Sequence, residues 1–168
     1  VLSHDLLEGS YMRTAFTSNI TIYDGFPGNY ASYIKRLHRW IRGDWQLLPY
    51  KKRHFIKRQG SKIENPLNFI SLYKITNNLQ RSSVKPLTMI MFAVGMLFLP
   101  ECFILWHLII LSYILLPFFM SPSIKCLKKC LAELCFLPHE AYISADACIR
   151  TLWRINISHR HLLQWVTA

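Results

Sequence analysis

Apolar residues change their spacing along this chain, and each change predicts a different element. From Tyr30 onward, Ile34, Leu37, Ile41, Trp45 and Leu48 recur every three or four residues, the period of a helix with one buried stripe. Ahead of it, Asp5-Leu6-Leu7-Glu8 has the acid-x-x-acid spacing of a capping box and predicts a short helix running toward Phe16. Asn19 to Tyr23 alternates β-branched and polar residues as a short strand does, and Asp24-Gly25-Phe26-Pro27-Gly28-Asn29 predicts a turn. Further on, Phe69, Leu72, Tyr73, Thr76 and Leu79 line one side of a second amphipathic stretch, with Asn68, Ser71, Lys74, Asn78 and Arg81 on the others. Such a helix suits a headgroup layer.

Beyond it the alternation stops. From Pro86 to Met120 there is no Lys or Arg, and Glu101 is the only acid. One straight helix over that run is about 50 Å long, against a hydrocarbon core of about 30 Å. The turn that this mismatch requires falls at Pro100-Glu101 and divides the zone into Val84 to Leu99 and Cys102 to Met120. The first piece is slightly short, so Lys85 would snorkel. A hairpin puts both basic flanks on the cytoplasmic side and leaves Glu101 outside. After Ser121-Pro122, the run Ile124 to Leu137 is interrupted by Pro138. The last stretch, Ala141 to Trp165, reads as helices resting on a membrane surface or on another part of the protein.

Composition sharpens this picture. Of 168 residues, 52% are apolar and 17% charged, which excludes a disordered tail, and the bunching of the apolar residues argues against a simple soluble globule. The net charge of +11 comes from Lys and Arg outside the apolar zone. Five cysteines without a CxxC pair indicate neither a disulfide framework nor a zinc site. Four zones are expected: 1–50, a basic connector with an interfacial helix at 51–83, a transmembrane hairpin at 84–120, and interfacial helices at 121–168. The start at Val1, without methionine and inside a motif-like run, leads us to expect a piece of a longer protein.

On the Tyr30 helix, a face other than the apolar stripe carries Arg36, Arg39, Gly43 and Gln46. Two guanidinium groups three residues apart point the same way and suit one shared anion such as a diphosphate, and Gly43 one turn on would let a ligand approach the backbone.

Arg36-Leu37-His38-Arg39-Trp40 fits an R/Q-x-x-R-W pattern just ahead of the membrane zone. It resembles the QxxRW motif of processive membrane glycosyltransferases such as cellulose synthase. The longer run HRWIRGDWQLLP is similar to that of bacterial cyclic β-1,2-glucan synthases. Leu2-Ser3-His4-Asp5-Leu6-Leu7-Glu8-Gly9, Phe136-Leu137-Pro138-His139-Glu140-Ala141, Arg150-Thr151-Leu152-Trp153-Arg154 and His159-Arg160-His161-Leu162-Leu163 agree in the same order.

The resemblance implies a mainly α chain: membrane-associated helices with a transmembrane hairpin, attached to the C-terminal remnant of an α/β GT-A glycosyltransferase domain. It implies transfer of glucose from UDP-glucose to a glucan acceptor with inversion, in a bacterial inner membrane, with both ends of this piece cytoplasmic. The position of Asp5 is then the general base, Arg36 and Arg39 neutralise the departing diphosphate, and Trp40 stacks under the acceptor sugar. Asp44 is a candidate sugar contact or a structural partner of Arg42 or a neighbouring helix. His4 and Arg36 stand where cellulose synthases have Glu and Gln. No D-x-D occurs in the chain, so the divalent metal (Mg or Mn) of the full-length enzyme is expected on an upstream nucleotide-binding half, with no metal ligand here. A piece of this kind is expected to be inactive alone. The alternatives are a membrane-anchored basic protein that binds anionic lipid or nucleic acid, or an inactive gene remnant. No nucleic-acid fold signature supports nucleic acid as a partner.

Overall fold

Helices dominate the computed structural model, which describes residues 4–12, 15, 17–56 and 62–160. In chain order they are α1 (Asp5–Tyr11), α2 (Tyr30–Gln46), α3 (Phe69–Phe98), α4 (Phe103–Met120) and α5 (Ile124–Trp153). A 3₁₀ turn, Leu48–Lys51, follows α2, a second one, Pro100–Cys102, separates α3 from α4, and a π turn, Arg154–Ser158, ends α5. The strands β1 (His54–Ile56) and β2 (Lys62–Glu64) pair antiparallel, with His54 opposite Glu64 and Ile56 opposite Lys62.

Local chemistry sets several of these boundaries. Asn29 caps α2 by accepting the Ser32 N–H at 2.9 Å, Asn68 caps α3 through the Ser71 N–H at 2.8 Å, and Ser123 caps α5 through the Cys126 N–H at 3.1 Å. The first helix differs from the expected capping box. Its N-cap is His4 rather than Asp5, and Glu8 reaches back to the His4 N–H at 3.3 Å, which places Asp5 inside the first turn. The helix ends at Tyr11, and Phe16, toward which it was expected to run, lies outside the described residues.

The expected strand at Asn19 to Tyr23 does not form. Ile20, Ile22 and Tyr23 are all exposed, and an isolated alternating segment without a partner strand gains no ladder hydrogen bonds. The sheet lies instead in the basic connector. Asn65 ties down its base by donating Nδ2 to the carbonyls of Tyr50 at 2.7 Å and Lys52 at 2.9 Å, and by accepting the Leu67 N–H at 3.0 Å. Among the described residues of 1–50 no sheet is present, so an α/β remnant is not seen there.

The chain divides into two compact units, Val1–Arg81 with Asp146–Ala168, and Ser82–Ala145. In the first unit, Leu47, Leu67, Ile75 and Leu79 form a buried cluster against which Leu6, Leu7, Trp45, Leu48, Tyr50 and Leu72 pack. This is the expected stripe of α2 joined to that of α3, with Ile34 and Ile41 buried on α2 as its period requires.

In the second unit the chain turns at Pro100. Pro86 and Pro138 do not interrupt their helices: α3 runs through the first and α5 through the second. A proline removes one helical hydrogen bond, but in apolar surroundings further unwinding would strand more backbone groups, so the helix continues. The interfacial helix and the first apolar segment are therefore one element. Lys85 does not snorkel; it pairs with Glu140 of α5, whose side chain is 8% exposed. A buried carboxylate is tolerated there because the ammonium compensates it.

Among the described residues one helix, the segment Pro100–Met120, is long and apolar enough to cross a membrane. Within α4 only Ile110 is buried, so its apolar side chains face outward on nearly every side. A helix that is hydrophobic all round is suited to lipid.

Candidate functional site

The basic motif occupies the middle of α2. The Arg36 guanidinium lies 4.5 Å from the centre of the Trp40 ring, one turn further along, in a cation–π stack. The same group donates to the Gly25 carbonyl at 3.3 Å and lies 3.6 Å from the carboxylate of the exposed Asp24. The turn between Asp24 and Asn29 thus folds onto the start of the motif. Trp40 is 54% exposed, which leaves much of its indole open to a ligand. Arg39 is half-buried and makes no hydrogen bond or ion pair among the described residues.

The remaining members of the expected ligand face point inward. Gln46 and Gly43 are buried, and Gly43 packs against a side chain rather than opening to a ligand. A Cβ at this position would meet Cδ2 of His4 at 3.4 Å and Nε2 at 3.5 Å. The absence of a side chain on Gly43 makes room for the imidazole.

This contact brings the start of α1 to α2. Asp5 is exposed in the first turn of α1, one residue after His4. Arg39 lies one helical turn before Gly43 and Arg36 nearly two, about 6 Å and about 10 Å along the axis. The acid and the basic stripe therefore belong to one region of the first unit.

Asp44 has protein partners on two elements. Its Oδ1 accepts Nδ2 of Asn78 on α3 at 2.9 Å and lies 3.4 Å from Nε2 of His4. His38, inside the motif, turns to α5, where Asp146 receives both His38 at 3.0 Å and Nε of Arg150 at 2.6 Å. Burial pushes the Asp146 carboxyl up, but Arg150 and His38 together outweigh it and hold the group below the usual carboxylate range. Burial, reinforced by Arg154 and Arg150, lowers Arg42, and Asp146 opposes that shift.

Sequence reasoning missed the partners Asn78, Asp146 and Arg150. Asn78 and Asp146 lie far along the chain from the residues they hold, so no local spacing announces them. Arg150, four residues after Asp146, carries the spacing of a helical ion pair and was legible. Among the described residues no three His, Cys, Asp or Glu side chains gather as a metal site does.

No family model matches the chain. It is 30% identical over 199 residues to the cyclic beta-(1,2)-glucan synthase NdvB of Rhizobium meliloti (strain 1021). That alignment takes in the whole chain. The similarity is to one segment of that synthase. It spans 6% of the length of this relative, so the likeness concerns one segment of a much larger protein. The motif and the contacts around it all fall within the matched segment.

Proposed function

We propose that this segment serves a membrane glycosyltransferase that moves glucose from UDP-glucose onto a growing β-1,2-glucan. The observation that carries the reading is the seat of His4 on Gly43, which joins the acidic start of α1 to the helix bearing Arg36, Arg39 and Trp40. A base, a cationic pair and an open aromatic face are the parts that inverting sugar transfer asks of a protein.

In this reading the Asp5 carboxylate takes the proton of the acceptor hydroxyl as its oxygen attacks the anomeric carbon. The bond from that carbon to the UDP oxygen breaks, and the diphosphate leaves with the electron pair. Arg39 and Arg36 face the charge that grows there, and bidentate guanidinium contacts suit it better than a point charge does. Trp40 offers its ring to the acceptor sugar, with Arg36 stacked on the ring. Asp44 stays in the site as a contact for a sugar hydroxyl or as a support for its neighbours. The nucleotide and its metal are held by another part of the parent enzyme.

The membrane part follows the same reading. The apolar end of α3 and all of α4 form a hairpin in the bacterial inner membrane with Glu101 outside and both ends of the segment cytoplasmic. The turn at Pro100–Cys102 and the outward apolar surface of α4 support this topology.

The deciding experiment is Asp5→Asn in the full-length enzyme that carries this segment. Glucose transfer from UDP-glucose is expected to vanish while membrane insertion is unchanged. Retained transfer refutes the assignment of the base.

A further inference from the structure

Asp5 has an exposed carboxylate that makes no hydrogen bond or ion pair among the described residues, so nothing attached to its own side chain aims it. Its direction is set by the backbone just before it. There, His4 is held at several points. Its carbonyl accepts the Glu8 N–H at 2.9 Å and its own N–H goes to Glu8 Oε1 at 3.3 Å, which closes the first turn of α1. Its ring lies over Gly43 and is 14% exposed, with Nε2 3.4 Å from Asp44 Oδ1. The same oxygen receives Nδ2 of Asn78 at 2.9 Å, so the carboxylate is itself anchored to α3.

We propose that Asp44 is a positioning residue for the base: through the imidazole of His4 it sets the first turn of α1, and with it the Asp5 carboxylate, against the arginine-bearing helix. The inference deepens the transferase reading and rests on it. The chain of contacts runs Asn78, Asp44, His4, Asp5, and each link but the last is a side-chain contact within the first unit. Two features favour this role over a sugar contact. Asp44 Oδ1 already faces two donors, and the His4 ring is turned inward, with its Nδ1 buried and without a hydrogen-bond partner among the described residues. A buried ring nitrogen left unbonded is costly, and the ring stays there because Gly43 and Asp44 hold it. The function served is orientation, since a misplacement of about 1 Å in a reacting group costs up to about a hundredfold in rate.

The test uses the full-length enzyme and follows glucose transfer with donor and acceptor varied separately. Asp44→Ala and His4→Ala are each expected to lower kcat about tenfold or more while the KM for UDP-glucose stays within about twofold. Asp44→Asn keeps an oxygen for both partners and is expected to retain much more activity than Asp44→Ala. The double variant His4→Ala/Asp44→Ala is expected to lose no more than the worse single one, because both act through one path. If Asp44→Ala does not accumulate in the membrane, His4→Ala, which leaves Asp44 bonded to Asn78, carries the same expectation. A raised acceptor KM at unchanged kcat would make Asp44 a sugar contact and overturn the proposal, as would losses that multiply in the double variant. If Asp5→Asn retains transfer, it is the transferase reading that fails, whatever the Asp44 variants do.

Discussion

His38 sits between the two arginines of the α2 motif, and its Nε2 meets Oδ2 of Asp146 on α5 at 3.0 Å across 108 positions of sequence. The motif is thereby tied to α5, and Arg150 completes the cluster from the next turn of that helix. A helix held at His38 on one side and at Asp44 on another has little freedom to rotate, which keeps the faces bearing Arg36 and Arg39 where they are.

Replacing Asp146 tests that tie through its pH dependence. Its carboxyl is held below the unfolded value of about 3.9, so the contact adds stability above that pH and loses it as pH falls through the folded value. Asp146→Asn is expected to lower stability by on the order of 1 kcal/mol near neutrality, a modest figure because the group is partly exposed to solvent. Thermal unfolding followed from pH 7 downward should show the gap between the two proteins closing below about pH 4. A gap of constant size would mean that the charge of Asp146 contributes nothing.

Asp24 competes with any anion for Arg36. Its side chain is 85% exposed, so the pair is a weak surface contact. Asp24→Asn in the full-length enzyme is expected to tighten UDP binding by about two- to fivefold, the range that an exposed ion pair is worth. Arg36→Ala should weaken it. Calorimetric titration separates the two outcomes, and equal affinity in all three proteins would remove Arg36 from the proposed diphosphate site.

Gly95 decides how α3 meets α4. A Cβ there would collide with Cδ1 of Trp106, whose indole N–H donates to the Met91 carbonyl at 2.8 Å. Gly95→Ala is expected to displace the indole, break that bond and cost about 1–3 kcal/mol, the usual penalty of overpacking. Unfolding in detergent micelles measures it. Trp106→Phe, which removes the donor and keeps an aromatic ring, should cost less; the reverse order would contradict the packing described.

The proposed hairpin topology predicts where Glu101 lies. A single cysteine introduced at that position in an otherwise cysteine-free protein is expected to react with an impermeant thiol reagent added to intact cells. Labelling that requires permeabilised cells would place the Pro100–Cys102 turn inside and reverse the topology.

What was legible in the sequence depended on near neighbours. The stripe of Ile34 and Ile41, the turn at Pro100 and the outward apolar surface of α4 follow from helical period and length, which a few adjacent residues specify. The same local reasoning misjudged Pro138, because the surroundings of other helices decide whether a proline ends one. It also placed a strand at Asn19 to Tyr23, which has no partner strand among the described residues, and missed the pairing of His54–Ile56 with Lys62–Glu64.

The sequence by itself determined a helical chain, its basic motif and its apolar zone, since composition and period are properties of a single line of residues. Only the tertiary structure decided that Gly43 receives His4, that Asp44 stands between His4 and Asn78, and that Glu140 answers Lys85. Those pairs are 34 to 55 positions apart in the cases of Asp44 with Asn78 and Lys85 with Glu140. Contacts at such separations arise from how whole helices pack, and packing is set by all the side chains at an interface together rather than by any local spacing.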